Sequence, residues 1–118
     1  MSDEAPGKQR IIQEFVPGKQ VTLAHVIAAP TPDLHRAIGL TSEYSGAIGI
    51  LTITPSEAAI IAADIASKSS SVKLAFVDRF SGSVVITGEL ADVESALRSV
   101  ISGMQQILDF TPALVTRT

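Results

Sequence analysis

The sequence predicts a single domain of mixed α/β class, of the α+β kind, in which short strands and helices alternate. Three observations support this fold class. The chain has 118 residues, which suits one domain with a modest hydrophobic core. Segments with apolar residues at every second position alternate with segments whose apolar residues recur at helical spacing. The chain is 46% hydrophobic but only 4% aromatic, so its apolar surface consists mainly of small and aliphatic side chains that allow close packing.

The first half of the chain predicts three strands and one short helix. The stretch "RIIQEFV" (10–16) has mixed faces, which indicates a strand outside the middle of a core. A second strand is predicted over 20–28, and a third over 47–53, where a continuous apolar run is typical of strands buried on both faces. Prolines break the chain between these strands, and a short helix is predicted over 33–38, ending at Gly39.

A capping pattern predicts the start of the second helix. Thr54 is the expected N-cap, Pro55 the first helical residue, and Glu57 the reciprocal partner of a capping box. We expect this helix to run to about Lys68 and to end in the serine cluster that follows.

The second half predicts a hairpin and a long helix. Strands are expected over 72–77 and 83–88, joined by the turn "DRFSG". The segment 89–108 has the strongest helical periodicity of the chain. Its apolar stripe consists of Val93, Ala96, Leu97, Val100, Ile101, Met104, Ile107 and Leu108. We expect Pro112 to end this helix and "ALVTRT" (113–118) to form a last short strand.

The order of these elements predicts a circularly permuted ferredoxin-like topology. Residues 47–108 alone give the order βαββα, which is a ferredoxin-like βαββαβ unit without its last strand. The strand over 20–28 is the candidate for the missing strand, placed before the unit instead of after it. Such a permutation is tolerable because the ends of a domain often lie close together in space.

Composition and charge argue against several classes of partner. The formal net charge is -3 and the basic residues are scattered, so we expect no nucleic acid partner. The sequence has no cysteine, and its two histidines, His25 and His35, are too few for a convincing zinc site. We therefore predict no metal and no cofactor.

The hydropathy of the chain and its polar first residues predict a cytoplasmic protein. No apolar run approaches membrane-spanning length although the mean hydropathy is +0.36, and we expect no membrane partner. The first ten residues, "MSDEAPGKQR", are polar and partly acidic, unlike a signal peptide.

The sequence offers little support for catalysis. Asp78 and Glu89 flank one hairpin, but no nucleophile is evident beside them. There is no Ser-His-Asp arrangement, and "GELADV" contains one glycine and is not a phosphate-binding loop. We therefore expect that the protein is not an enzyme.

Several stretches resemble the shell proteins of bacterial microcompartments. The segment "ILTITPSEAAIIAADIASKSSSVKLAFVDRFSGSVVITGELADVESAL" is similar to the core of that family. The succession of "FVPGKQVTLAHVIA", "AIGILTITP" and "DRFSG" is more specific. It resembles the circularly permuted hexameric branch known from ethanolamine- and propanediol-utilisation shells. The resemblance covers about residues 10 to 118.

This resemblance implies a structural function. Six subunits would form a flat hexagonal tile, and tiles would pack edge to edge into a shell around an enzyme core. The implied partners are five further copies in a homohexamer, other shell proteins laterally, and encapsulated enzymes. The implied location is the microcompartment shell in the cytoplasm.

The resemblance also implies a role for the first strand. In the permuted branch, an extra N-terminal strand from each subunit joins a six-stranded barrel on the sixfold axis, and closure removes exposed strand edges. The barrel residues here would be Ile11, Ile12, Gln13, Glu14, Phe15 and Val16. The expected division of the chain is a disordered tail over 1–9, a barrel strand over 10–17, and the permuted shell domain over 18–118.

The turn "DRFSG" has two interpretations. From the residues alone it is a solvated β-turn. By resemblance it matches the loop around the central pore of unpermuted tiles, where rings of identical residues select by charge and size. The pore-lining candidates are then Asp78, Arg79, Phe80, Ser81 and Gly82. This loop differs from the glycine- and serine-rich pore sequence that is common in unpermuted tiles.

Lys68 also has two interpretations. In any fold, a cation near a helix C-terminus interacts favourably with the helix dipole. By resemblance, Lys68 matches the lysine at the tile edge that packs against neighbouring hexamers. Unpermuted tiles complete that edge with an arginine, whereas the matching stretch "HVIAAPT" has none.

An alternative function remains open at this point. A ferredoxin-like domain of this size could be a small-molecule-binding module that regulates an enzyme. Such a sensor should gain thermal stability with some metabolite, whereas a tile should assemble without one.

Overall fold

The computed structural model describes residues 18–41 and 43–118. The expected tail and barrel strand, residues 1–17, lie outside the described residues. The strands are β1 (Gln20–Ile27), β2 (Ala47–Thr54), β3 (Lys73–Asp78), β4 (Ser83–Gly88) and β5 (Val115–Arg117). The helices are α1 (Pro32–Ala37), α2 (Ala59–Ser69, preceded by a 3₁₀ turn at Ser56–Ala58) and α3 (Leu90–Leu108).

All five strands form one sheet in the order β3-β4-β2-β1-β5. The pairs β3–β4, β4–β2 and β2–β1 are antiparallel. β1 pairs with β2 from Gln20↔Thr54 to Ile27↔Ile48, in the place where the last strand of a βαββαβ unit would lie. This confirms the predicted position of the strand over 20–28. The last strand was predicted without a partner, and it pairs in parallel with β1.

Helices α2 and α3 cover one face of the sheet. Their inward sides are fully or nearly fully buried against apolar residues of β1, β2 and β4. The buried helix residues are Ala59, Ala62, Ala63 and Ala66 of α2, and Val93, Ala96, Leu97, Val100 and Met104 of α3. Five of the eight residues of the predicted stripe of α3 are thus buried, and Ile101 and Leu108 are partly buried and pack against the core. Ile107 is wrong as a core residue, because it is 75% exposed.

The small side chains of this interface allow the backbones to approach closely. A Cβ added at Gly49 of β2 would lie 2.7 Å from Cγ1 of Val93 and 2.8 Å from Cγ1 of Ile86. Real Cβ atoms essentially never approach that closely, so a larger residue at this position would force Val93 or Ile86 to shift.

The opposite face of the sheet is only partly covered. α1 lies over one end of it and buries Ile48. Beside α1 is an apolar hollow of about 240 Å³, lined by Ile27, Leu34, Ile38, Leu40, Ile48, Ile50, Phe76 and Val85. Phe76 at its rim is 50% exposed, so one sheet face carries apolar surface that a single subunit does not bury.

The structure corrects two predicted helix ends. Thr54 is not an N-cap but the last residue of β2, because its backbone pairs with Gln20. The helical segment begins at Ser56, in the 3₁₀ turn before α2. No side chain caps it there, so the capping box with Glu57 does not form. α3 ends at Leu108, the last residue of the predicted segment, but the residue that ends it is Asp109 and not Pro112, because Asp109 takes a left-handed conformation with φ 61°.

The close approach at Gly49 leads to a stability prediction. Gly49→Ala should lower the free energy of unfolding by about 1–3 kcal/mol, since the added methyl group overpacks the contact with α3. Chemical denaturation followed by circular dichroism measures this change. Gly18→Ala is the matched control, because a Cβ there meets no atom within 4 Å. Equal stability of the two variants would contradict the packing argument.

Candidate functional site

The turn between β3 and β4 is organised by Asp78. Its carboxylate accepts hydrogen bonds from the backbone N–H of Phe80 (2.8 Å), the backbone N–H of Ser81 (3.3 Å) and the hydroxyl of Ser81 (2.9 Å). These hydrogen bonds hold the pKa of Asp78 below its ordinary value. The Phe80 N–H has the largest effect, followed by the hydroxyl and then the N–H of Ser81. Asp78 therefore shapes the turn as an ionised acceptor.

The tip of this turn carries a cation on an aromatic ring. Phe80 is 81% exposed, and the Arg79 guanidinium carbon lies 4.9 Å from the centroid of its ring. This distance is within the range of a cation–π contact. The turn thus presents a positive charge and an apolar ring to whatever faces it.

Gly82 fastens the turn to the end of β2. It has φ 79°, and an added Cβ would collide with the carbonyl oxygen of Ile53. The Gly82 carbonyl accepts a 2.9 Å hydrogen bond from the Ile53 N–H, and the Gly82 N–H donates to the Asp78 carbonyl at 2.8 Å. Only glycine suits this conformation and approach.

Lys68 lies in the last turn of α2, where the sequence predicted it. Its Nζ is 2.9 Å from Oδ1 of Asp64 one turn earlier, and both side chains are exposed. The sequence analysis missed this ion pair, although the i,i+4 spacing of Asp64 and Lys68 was sufficient to predict it. An exposed pair of this kind contributes little to stability and leaves the lysine able to contact another molecule.

The structure does not bring the turn and Lys68 together. The turn follows the end of β3 at Asp78. The end of α2, in contrast, leads to the start of β3 at Lys73. β3 has six residues, so these two places are about 20 Å apart along the strand. They lie at opposite ends of the subunit's sheet.

The two histidines do not form a metal site. His25 places Nδ1 2.6 Å from the Thr116 hydroxyl and Nε2 2.9 Å from the Thr118 hydroxyl. His35 is on α1, with Nδ1 3.2 Å from the Thr31 carbonyl. Within residues 18–41 and 43–118, no three histidine, cysteine or acidic residues are grouped in a way that could hold a metal ion. In the same ranges, no helix is long and apolar enough to cross a membrane.

Comparisons with known proteins give one consistent family. The family model of the BMC domain matches residues 47–116. The chain is 54% identical over 116 residues to the bacterial microcompartment shell protein PduU of Salmonella typhimurium, covering 98% of this chain and 99% of PduU. It is 51% identical over 111 residues to the shell protein EutS of Escherichia coli, covering 94% of this chain and 98% of EutS.

A solved structure agrees with these relatives. The flat hexamer of CutR (form 1) superposes with a TM-score of 0.82 at 46% identity, covering 93% of this chain and 100% of the CutR chain. The chain therefore belongs to the BMC-domain family of bacterial microcompartment shell proteins. The family match begins at β2, so β1 precedes the matched unit, as expected for a permuted chain.

The lowered pKa of Asp78 leads to a pH prediction. A carboxyl whose folded pKa lies below its unfolded value contributes stability that is present above the unfolded pKa and is lost as the pH falls through the folded one. Asp78→Asn should therefore melt at a lower temperature than the wild type at pH 7. The difference between the two melting temperatures should begin to shrink near about pH 4, where the unfolded aspartate becomes protonated, and should vanish only below the lowered pKa of the folded state.

Thermal melts between pH 7 and pH 2 measure this convergence. Ser81→Ala is the matched variant, because it removes one of the three hydrogen bonds and should show an intermediate pH dependence. A constant gap between wild type and Asp78→Asn at every pH would contradict the role given to the charge.

Proposed function

We propose that the protein is a structural, non-enzymatic shell component that forms a hexameric tile in a microcompartment shell in the cytoplasm. The main support is the superposition of nearly the whole chain on a subunit of the CutR flat hexamer. The chain also spans nearly the full length of PduU and EutS, which are named as shell proteins. The lateral partners would be other shell proteins, and the enclosed partners encapsulated enzymes.

The uncovered sheet face supports assembly into a ring. In a cyclic hexamer, each subunit contacts its neighbour through two different surfaces. The hollow beside α1, with Ile38 and Phe76 exposed at its rim, is an apolar surface of the kind that subunit interfaces bury. The ring would thus cover what the single subunit leaves open.

The sheet register supports a place for the N-terminal barrel. Gln20 at the start of β1 pairs with Thr54, and the neighbouring Thr52 pairs with Ser83, which follows the 78–82 turn. The start of β1 and this turn therefore lie at the same end of the sheet. If the turn surrounds the sixfold axis, Gly18 would lie beside that axis, and a barrel of the preceding residues 10–17 is proposed to cap the pore.

The same arrangement supports the remaining site assignments. The pore candidates Asp78, Arg79, Phe80, Ser81 and Gly82 would be repeated six times around the axis. Because Asp78 is engaged within its own turn, the charge presented to the opening would be that of Arg79. Lys68, at the other end of the sheet, would lie at the tile edge.

The first test is native mass spectrometry of the full-length protein beside a variant lacking residues 1–17. We expect hexamers of both, since the barrel is a cap and the ring is closed by the shell domain. A variant lacking only residues 1–9 is the control and should behave as the full-length protein. A monomeric or dimeric full-length protein would contradict the tile and favour a ferredoxin-like small-molecule sensor.

Thiol labelling tests the cap itself, because the chain has no cysteine. In the Phe80→Cys background, a bulky maleimide should react faster after deletion of residues 1–17 than with the barrel segment present. Equal rates would contradict a cap over the turn. Loss of the hexamer on deletion would instead make the segment a structural part of the ring.

Lys68→Ala tests the tile edge. The hexamer should stay intact, whereas sheet formation seen by electron microscopy should decrease, because each lateral contact is weak and is repeated many times in a sheet. Lys73→Ala, which removes an exposed lysine from β3, is the control and should form sheets normally. Unchanged sheets for Lys68→Ala would remove this residue from the edge.

A further inference from the structure

A mixed polar and apolar cavity adjoins the apolar hollow beside α1 and shares Leu40 with it. Its volume is about 600 Å³, which is in the range of sites for small molecules. The lining combines the apolar side chains of Pro30, Pro32 and Leu40 with the polar side chains of His35, Arg36 and Tyr44. We call it the His35 cavity. The proposed tile assigns no role to its polar groups.

His35 contributes a ring nitrogen that has no hydrogen-bond partner. Its Nδ1 lies 3.2 Å from the Thr31 carbonyl, which can only accept, so Nδ1 carries the hydrogen and Nε2 is an acceptor in the neutral ring. Nε2 is buried, and no group within residues 18–41 and 43–118 donates to it. Buried polar atoms without a partner are rare in folded proteins, because burial removes the water that would otherwise bind them. A hydrogen-bond donor from another molecule would satisfy this nitrogen.

Arg36 gives the same cavity a positive charge. Its Nη2 pairs with Asp33 three residues earlier, and the Arg36 side chain remains 69% exposed. A guanidinium has five N–H donors in a planar fork, so one ion pair leaves donors for a second acceptor. Among the described residues that line the cavity, Arg36 is the only one with a permanent charge. The lining therefore favours a ligand that carries a carboxylate.

These two groups together define the class of ligand. Nε2 of His35 requires an O–H or N–H donor, and Arg36 requires an anion. An ammonium group would also offer N–H donors, but Arg36 would repel its charge, so a hydroxyl is the better donor. We propose that the His35 cavity binds a small hydroxycarboxylate, whose hydroxyl donates to Nε2 of His35 and whose carboxylate accepts from Arg36. The apolar lining residues would contact its short carbon chain.

The site requires only a folded subunit. Leu40 and Tyr44 are partly buried, so rotation of these side chains is sufficient to admit a small molecule to the ring of His35. The cavity lies beside α1, which follows the Ile27 end of β1, whereas the 78–82 turn lies at the Gln20 end. Ligand binding here is therefore separate from the proposed pore and does not depend on the tile.

Isothermal titration calorimetry of the full-length protein tests the ligand class with matched probes. Glycolate carries the hydroxyl and the carboxylate, acetate lacks the hydroxyl, and glycolamide lacks the charge. 3-Hydroxybutyrate and butyrate repeat the first comparison with the hydroxyl one carbon further from the carboxylate. We expect at least one hydroxy acid to bind about tenfold more tightly than its reference without the hydroxyl, because only the hydroxyl satisfies Nε2. Equal binding within both pairs, or no binding of either hydroxy acid at millimolar concentration, overturns the proposal.

Two variants test the two contacts separately. His35→Asn keeps an amide donor near the place of Nδ1 but has no atom in the place of Nε2, so the preference for the hydroxy acid should disappear. Arg36→Gln should weaken binding of the hydroxy acid by about tenfold and leave that of glycolamide unchanged. Arg98→Gln, which removes an exposed charge from α3, is the control and should bind as the wild type does. An unchanged preference in His35→Asn, or unchanged affinity in Arg36→Gln, overturns the proposal.

The oligomeric state from native mass spectrometry separates this inference from the proposed function. A hexamer that binds neither hydroxy acid overturns the ligand site and keeps the tile. Selective binding by a protein that is not hexameric supports the ligand site and overturns the tile.

Discussion

The pairing of β1 with β2 is the interaction on which the rest of the structure depends. Residues 47–108 form a βαββα unit whose sheet would end at β2. β1, which precedes this unit in the sequence, adds the missing strand beside β2. The pairing is antiparallel and begins at Gln20↔Thr54. It therefore brings the start of β1 to the end of the sheet that carries the 78–82 turn. The positions proposed for the barrel and for the pore both follow from this register.

The two faces of the sheet have different physical roles. The helical face is closed by small side chains and by Gly49, and it contains almost all of the fully buried residues. The other face keeps α1 over one end and exposes aliphatic and aromatic side chains over the remainder. In the proposed ring, hydrophobic residues of this chain would thus serve both the fold of one subunit and its contacts with others.

Much of the fold could be predicted because it depends on periodicity. The stripe from Val93 to Met104, the hairpin and the permuted strand order were all accessible from apolar spacing. The capping box at Thr54 failed because strand pairing with Gln20 competed with local capping, and a sequence window does not contain Gln20. The end of α3 at Leu108 was predicted, but its stop was assigned to Pro112, because a left-handed aspartate such as Asp109 is a weaker sequence signal than a glycine or asparagine.

The candidate site was predictable only in part, for a similar reason. Asp78 and Ser81 lie within one turn, so their hydrogen bonds are local, and the i,i+4 pairing of Asp64 with Lys68 was also within reach. The attachment of Gly82 to Ile53 and the position of His25 between two threonines depend on strands distant in sequence. No motif in a single segment indicates such contacts.

The half-open sheet face also has a consequence for how such a subunit behaves outside its assembly. A lone subunit would expose the hollow beside α1 to water, and it would lose part of the hydrophobic free energy that the same residues gain in a closed ring. Its measured stability would then be a property of the protomer concentration as well as of the chain. Newly synthesised subunits would be prone to aggregation until they assemble, and ring closure would itself be their protection.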